Sequence, residues 1–571
     1  MDFMNVYNSW RENAVEDPAL IHELSDICGD RDAIYDRFYT TLRFGTAGLR
    51  GVLGAGTNRM NIYVVRQATQ GLAEYIKHDF GTGAVAITHD SRINSDVFMN
   101  EAARVLAANG LKVYITRELQ PTPVLSYLVR HLGCVAGIMV TASHNPAKYN
   151  GYKVYGSDGC QMTDVAAGKV YDAIQSIDMF EGVQLCDFDE AVASGAIEYV
   201  ADEVYDAYMG EVEKRQVNPG ICQDAGLRVV YTPLNGAGNK LVRRVLSEVG
   251  QSDVIVVKEQ EMPDGNFTTC PFPNPELKEA LQKGLELCEE TQADLLLATD
   301  PDSDRVSIAV RRSDGTYRLY TGNEIGAMLT EYILSCRKAN GDLPVKPVVV
   351  KTIVTTRIIK AICDKYGCEM RDVLTGFKYI GEVILGLEQK GEEDRYVFGF
   401  EESCGYLSGT YVRDKDAVVA SMLICEMAAY YKKQGKSLVD VIEGIYAEYG
   451  YYLNTTLDFY FEGASGMDKM AGILDSFRKN APEKIAGDPV VAVSDYLTHE
   501  AKDLRTGTVE HIDLPTSNVL SYTTENGCGA IVRPSGTEPK IKIYITAIGK
   551  DIAEATAISE KIAADMKGYL A

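Results

Sequence analysis

The chain has one tryptophan, seven histidines and no cysteine pair spaced C-x-x-C. Its thirteen cysteines are an odd number, scattered from Cys28 to Cys528, which excludes a disulfide framework and a zinc ribbon. Cys363 and Cys368 lie close together without further partners and read as packing thiols. Basic excess is also missing. The 57 Lys and Arg face 81 Asp and Glu, for a formal charge of −24. Sequence-independent nucleic-acid binding needs a basic footprint, so no nucleic-acid partner is expected. A small anionic ligand would need a local basic pocket. Long hydrophobic runs are absent too. The longest apolar stretch, Ala417 to Tyr431, contains Glu426 and is too short to span a bilayer, so no membrane partner is expected. The first twenty residues are polar and acidic, unlike a secretory signal, and a reducing cytoplasm is the expected location. The sequons at Asn266 and Asn454 carry no weight there.

What is present is a repeated outline. With 571 residues, 46% of them hydrophobic, the chain can build several cores. Ala84 to Asp90 reads as a strand, followed by a helical pattern through Asn109 and a strand from Lys112 to Ile115. The same order recurs from Leu227 through Pro233-Leu-Asn-Gly-Ala-Gly238 to Val257, and again from Pro347 to Val373. Apolar strands alternating with helices of 3.6 period imply βαβ units. Gly110, Gly250 and Gly367 fall just past each helix, where a left-handed cap belongs. From about 451 the pattern changes to alternating strands, with helical stretches at 466–479 and 551–569, a separate α+β domain.

The densest chemistry is Asp300-Pro-Asp302-Ser-Asp304-Arg305, directly after the apolar run Leu295 to Ala298. That run reads as a buried strand, and open α/β sheets bind ligands at such strand ends. Three carboxylates on alternate residues repel one another and raise their own pKa values unless a cation holds them ionised. A hard divalent cation with oxygen ligands suits them. An EF-hand is ruled out, because its sixth and twelfth positions, Gly and Glu, are here Arg305 and Arg311. A solvated acidic turn is the plain alternative.

Four further motifs stand in order. Thr141-Ala-Ser143-His144-Asn-Pro146 follows the apolar run 135–140, and Pro146 disfavours helix at Asn145, so Ser143 sits on a tight turn at a strand end. A serine nucleophile needs a nearby base or metal. His144 is adjacent, though neighbouring side chains often point apart. Gly45-Thr-Ala-Gly-Leu-Arg50-Gly51 lets backbone approach an anion that Arg50 can fork, without the Gly-Lys-Ser/Thr ending of a P-loop. Gly399-Phe-Glu401-Glu-Ser403-Cys-Gly405 offers paired acceptors and a hydroxyl suited to sugar hydroxyls. Arg533-Pro-Ser535-Gly536-Thr537-Glu-Pro539 combines a guanidinium fork, two hydroxyls and free backbone N–H groups, an anion cradle. An ordinary turn is the alternative at each.

Together these five motifs, taken in their order along the chain from Gly45 to Pro539 and across nearly all of it, resemble the α-D-phosphohexomutase superfamily. The resemblance implies three tandem α/β domains with mixed sheets and a C-terminal α+β domain around a central active-site cleft. Its domains would be residues 1–205, 206–322, 323–450 and 451–571. It implies that Ser143 carries a phosphoryl group and that Mg²⁺ is held by Asp300, Asp302, Asp304 and one phosphoserine oxygen. Arg50 and Arg305 would face the phosphoserine, and Glu401 and Ser403 would read sugar hydroxyls. Arg533, Ser535, Gly536 and Thr537 would hold the non-reacting phosphate. Lys153, in Asn150-Gly-Tyr-Lys153, and Lys378, in Gly376-Phe-Lys378-Tyr-Ile-Gly381, match two lysines near the reacting groups, and either could move protons. A lysine acting as base would need a lowered pKa.

The motif spellings look most like a subgroup that includes bacterial phosphoglucomutases. The implied reaction is glucose 1-phosphate to glucose 6-phosphate, with glucose 1,6-bisphosphate as activator and intermediate. Pentose and mannose phosphates are the alternatives within the superfamily, and a non-catalytic sugar-phosphate regulator is the alternative outside it. The expected partners are small sugar phosphates, and the expected assembly is a monomer or homodimer.

Overall fold

Val85, Ala86 and Ile87 are fully buried, and the strand they form, Ala84–His89, pairs in parallel with Lys112–Ile115 and with Ala136–Val140. The computed structural model describes residues 2–45, 48–461, 466–534 and 540–570. The chain forms two bodies, Met1–Gly322 with Ile380–Ser437, and Asn323–Tyr379 with Leu438–Ala571.

The first body contains two mixed sheets with the same plan. One has the order Leu49–Val52, Tyr149–Gly156, Ala136–Val140, Ala84–His89, Lys112–Ile115, Ile197–Tyr199. Its inner strands are parallel, whereas Tyr149–Gly156 runs antiparallel to both neighbours. The other has the order Tyr317–Leu319, Val306–Arg311, Leu295–Thr299, Val229–Thr232, Val254–Val256. Again the inner strands are parallel, and Val306–Arg311 is antiparallel to Leu295–Thr299. The crossover helices Ser95–Ala108 and Asn239–Glu248 end before Gly110 (φ +78°) and Gly250 (φ +86°), as the sequence pattern predicts.

In each sheet one loop joins a central parallel strand to its antiparallel neighbour. In the first that loop holds 141–146, and in the second it holds 300–305. Tyr396–Glu401 and its antiparallel partner Gly405–Leu407 enclose Glu401 to Gly405 in the same way. Three of the sequence motifs therefore occupy one topological position, the carboxyl end of a buried strand.

The amino terminus holds three helices that the sequence reading did not anticipate, Phe3–Asn13, Pro18–Asp26 and Arg31–Phe38. Asp2, Asp17 and Asp30 precede them, and each carboxylate accepts a backbone N–H of the first turn, at 3.0, 2.9 and 3.0 Å. The acidic character of this segment is thus partly helix capping. Trp10 is buried against Phe38, Tyr63 and Phe180, edge-on at 5.6–5.7 Å.

In the second body Val348–Thr352 and Glu369–Val373 are parallel strands joined through the helix Ile358–Tyr366, which ends at Gly367 (φ +68°). The tail forms an antiparallel sheet with the spatial order Tyr451–Tyr460, Lys540–Gly549, Gly529–Pro534, Leu520–Thr524, Asp488–Asp495, Glu500–Asp503, Val509–His511. The helices Gly466–Lys479 and Ile552–Leu570 contribute Leu474, Phe477, Ile562 and Met566 to its core, so this domain is α+β as expected. All thirteen cysteines are free, most of them buried. Among the described residues no helix is long and apolar enough to cross a membrane.

Candidate active site

The aspartate loop is fully buried. Asp300, Asp302 and Asp304 place one carboxylate oxygen each within 4.8 Å of one another. Asp300 Oδ1 accepts the backbone N–H groups of Asp304 (3.1 Å) and Arg305 (3.0 Å), which closes the loop on itself. Asp302 Oδ2 accepts from Lys153 Nζ (2.8 Å) and Thr122 Oγ1 (3.0 Å). Asp304 Oδ2 lies 3.2 Å from Lys415 Nζ and 3.6 Å from Lys153 Nζ. Burial, then Asp302 and Asp304, push the Asp300 carboxyl well above its ordinary range, the crowding effect read from sequence. Burial acts on Asp302 in the same direction, but Lys153, the hydrogen bond from Asp300 and Lys415 together outweigh it and hold that carboxyl low.

Two buried oxygens, Asp302 Oδ1 and Asp304 Oδ1, accept no hydrogen bond among the described residues. Unpaired buried carboxylate oxygens are costly, and a cation bound between them removes that cost. Among the described residues, the buried carboxylates of Asp300, Asp302, Asp304 and Asp414 face the ammoniums of Lys153 and Lys415 and, at 3.7 Å from Asp304, the guanidinium of Arg305, which leaves fewer cations than carboxylates. Oxygen-only donors with a deficit of positive charge fit a hard divalent ion such as Mg²⁺.

Ser143 belongs to the same cluster. Its Oγ donates to Asp300 Oδ2 at 2.9 Å, and His144 Nδ1 lies 3.2 Å from it. Ser143 adopts φ +53° at the strand end, as the turn around Pro146 predicts. Burial, then Arg305 and Arg50, hold the His144 ring well below its usual pKa, which favours the neutral imidazole. Arg50 donates to Asn145 Oδ1 (3.3 Å) in the serine turn. Arg305 pairs with Glu276 (2.9 Å) and lies 3.7 Å from Asp304. Glu401 is buried at its strand end, where its charge acts on Arg305 and on Lys415, and Ser403 is half-buried in the turn that follows.

Lys153 stands on the strand Tyr149–Gly156. Burial works against its charge, but Asp302 and Asp304 outweigh burial, and its pKa is raised. Lys378 lies in the second body, its ammonium 4.8 Å from the Tyr379 ring centroid. Arg533, also there, is the penultimate residue of the strand Gly529–Pro534, and its Nη1 donates to the Tyr544 hydroxyl at 3.5 Å. Ser535, Gly536 and Thr537 lie outside the described residues.

The sequence reading missed several contributors. Arg92 is buried beneath the serine loop and donates to the carbonyls of Ser143 (2.5 Å), Pro146 (3.0 Å) and Tyr149 (2.9 Å), and also to that of Asn145. Asp90 accepts from Thr141 Oγ1 (2.5 Å), which in turn accepts the Ser143 N–H (2.8 Å). Asp-Ser-Arg at the end of the first strand was visible in the sequence, but nothing local tied it to a loop fifty residues away. Lys415 likewise reaches Asp304 from a segment with no motif of its own.

The glycines of Pro233 to Gly238 have a similar role. A Cβ on Gly236 would lie 2.4 Å from Pro301 Cα, and one on Gly238 would lie 2.6 Å from Ser303 Oγ. Gly236→Ala should displace the aspartate loop. The expected result is an apparent metal requirement raised about tenfold or more for a small loss of thermal stability, measured by metal titration of activity alongside a melting curve.

A serine held against a buried carboxylate trio, beside neutral histidine and converging cations on an α/β scaffold, defines an enzyme built for phosphoryl transfer. Models of the phosphoglucomutase/phosphomannomutase family match four successive stretches. These are alpha/beta/alpha domain I at 41–181, domain II at 206–315, domain III at 321–449 and the C-terminal domain at 480–564. The chain belongs to this family of phosphohexomutases. A Staphylococcus saprophyticus protein named phosphoglucomutase is 38% identical over 519 residues, 91% of this chain and 93% of the relative. A Staphylococcus aureus phosphoglucomutase is 37% identical over 512 residues, 89% and 90% of the two chains. Among solved structures, the open form of the Paramecium phosphoprotein parafusin, described as a phosphoglucomutase, has a TM-score of 0.68 at 17% identity. It matches 93% of this chain and 95% of its own. A Burkholderia thailandensis phosphoglucomutase/phosphomannomutase family protein has a TM-score of 0.65 at 19% identity, over 92% and 97%. At such identities the structural likeness concerns the fold.

Proposed function

We propose that the chain interconverts glucose 1-phosphate and glucose 6-phosphate in the cytoplasm, as a monomer or homodimer, with Ser143 as the phosphoryl carrier. The observation that carries this reading is the 2.9 Å contact between Ser143 Oγ and Asp300 within the buried aspartate trio. Mg²⁺ held by Asp300, Asp302, Asp304 and a phosphoserine oxygen would supply Lewis-acid stabilisation of the charge spread over the phosphoryl oxygens.

The chain's own residues do the rest. Phosphorylated Ser143 gives its phosphoryl group to the free hydroxyl of a bound hexose phosphate, forming glucose 1,6-bisphosphate. That bisphosphate reorients and returns its other phosphate to Ser143. Arg50 and Arg305 offset the charge on the serine side. Glu401 and Ser403 accept from and donate to sugar hydroxyls. Arg533, Ser535, Gly536 and Thr537 hold the phosphate that is not reacting. His144, with Nδ1 3.2 Å from Ser143 Oγ, is placed to hydrogen-bond the serine oxygen. Lys153 or Lys378 serves the sugar hydroxyl. Lys153 Nζ donates to Asp302 Oδ2 at 2.8 Å, which places it beside the proposed metal ligands. We propose domains at 1–205, 206–322, 323–450 and 451–571; the family matches at 41–181, 206–315 and 480–564 fall within three of them, and the match at 321–449 begins two residues before the third.

The choice of sugar is tested by a kcat/KM panel across glucose, mannose, glucosamine and ribose 1-phosphates. Glucose 1-phosphate should lead by at least about tenfold, since a site built to bond a particular hydroxyl discriminates strongly against its absence. A lead by ribose or mannose would reassign the substrate within the family.

A further inference from the structure

We infer that the turn 264–270, with Phe267 at its centre, brackets the serine loop onto the aspartate loop, and that Phe267 and Arg92 are positioning residues for phosphoryl transfer at Ser143. The inference rests on the reading of Ser143 as the phosphoryl carrier.

Phe267 is fully buried and has φ +46°, a region a bulky residue enters only where its surroundings hold it. Asp264 supplies the hold. Its carbonyl accepts the Phe267 N–H at 3.0 Å, and its carboxylate accepts the N–H groups of Asn266 and Thr268, both at 2.9 Å. The ring lies under the Arg92 guanidinium, 5.0 Å from its centroid. That guanidinium gathers the carbonyls of the serine loop, and Asp90 balances its charge at 3.3 Å. The fit leaves no slack. A Cβ on Gly265 would lie 2.7 Å from Ile93 N and 2.9 Å from Ser91 O.

The other end of the turn reaches the aspartate loop. Asp264 N donates to the Asn235 carbonyl (3.3 Å), and Thr269 Oγ1 donates to the Asn235 side chain (3.3 Å). Two residues on, Ala237 N donates to the Pro301 carbonyl at 2.8 Å. The serine and aspartate loops are therefore joined in two ways. One is the hydrogen bond from Ser143 Oγ to Asp300. Esterification of that oxygen removes its proton and with it this bond, so it is lost in half of the catalytic cycle. The bracket does not involve Oγ and holds the two loops in register in both states. Misplacement of reacting groups by about 1 Å costs about 10²-fold in rate.

The test uses Phe267→Leu, which keeps apolar bulk but removes the ring face. It also uses Gly265→Ala, which wedges the turn away from 91–93, together with Arg92→Lys and the Phe267→Leu/Arg92→Lys double variant. kcat and KM for glucose 1-phosphate are measured with saturating glucose 1,6-bisphosphate, alongside melting curves and peptide maps of Ser143. Phe267→Leu and Gly265→Ala should each lower kcat by about 10- to 100-fold with KM nearly unchanged. The double variant should lose no more than its worse single, because both act through one contact. An unchanged kcat in folded Phe267→Leu, a loss carried by KM, or multiplying losses in the double variant overturns the bracket. If Phe267→Leu does not fold, Gly265→Ala decides. A wild-type Ser143 that never takes phosphate overturns the mutase reading, and this inference with it. A phosphorylated wild type with unaffected variants overturns the bracket alone.

Discussion

Asp302→Ala lowers kcat/KM by at least about 10³-fold while leaving a folded protein. Loss of a single well-placed electrostatic group in an active site costs on the order of 10²–10³. Asp302 should exceed this because it serves two partners. Its Oδ2 holds Lys153 at 2.8 Å, and its Oδ1 is one of the two oxygens left for a cation. Removing it also leaves Lys153 only the longer contact to Asp304, at 3.6 Å. Breaking a buried ion pair costs about 3–5 kcal/mol of stability. A melting curve must therefore accompany the coupled mutase assay. Turnover that persists in the folded variant and still depends on Mg²⁺ would refute the metal assignment.

Ser143→Ala takes turnover below detection, a fall of at least about 10⁴-fold, as expected where one side chain carries the covalent step. The backbone complicates the reading. Ser143 has φ +53°, a left-handed strain of roughly 1–2 kcal/mol that alanine retains while losing the bond to Asp300. Ser143→Gly tolerates that conformation and separates the two effects. Both variants should be inactive, but only Ser143→Ala should show the larger fall in melting temperature. Activity in Ser143→Gly approaching that of the wild type would remove the serine from the mechanism.

The helices, strands and caps of the three repeats are legible in the sequence because local rules set them. Buried strands carry apolar runs, and the crossover helix of each repeat is followed by a left-handed glycine. Gly110, Gly250 and Gly367 each show it. The aspartate and serine loops are legible for a related reason, since a strand end that must present several polar groups carries them contiguously. Arg92, Lys415 and Phe267 were not legible. Each acts across the fold, on residues about 51 to 175 positions away, and burial makes their local sequence look ordinary. The amino-terminal helices were passed over for a different reason. Their capping aspartates add to an acidic composition that, without the structure, indicates only an unsuitable signal peptide. The raised pKa of Lys153 was hidden too, because it depends on which carboxylates lie within reach rather than on any neighbour in sequence.

The central claim is that Ser143 carries the phosphoryl group between sugars. The most direct measurement incubates the purified protein with glucose 1,6-bisphosphate and Mg²⁺, removes small molecules, and maps phosphorylated peptides by mass. A chase with glucose 1-phosphate or glucose 6-phosphate follows. The account predicts one phosphate, located on Ser143, that the chase transfers to sugar. Phosphate on no residue, on a residue other than Ser143, or on Ser143 but inert to the chase would contradict it.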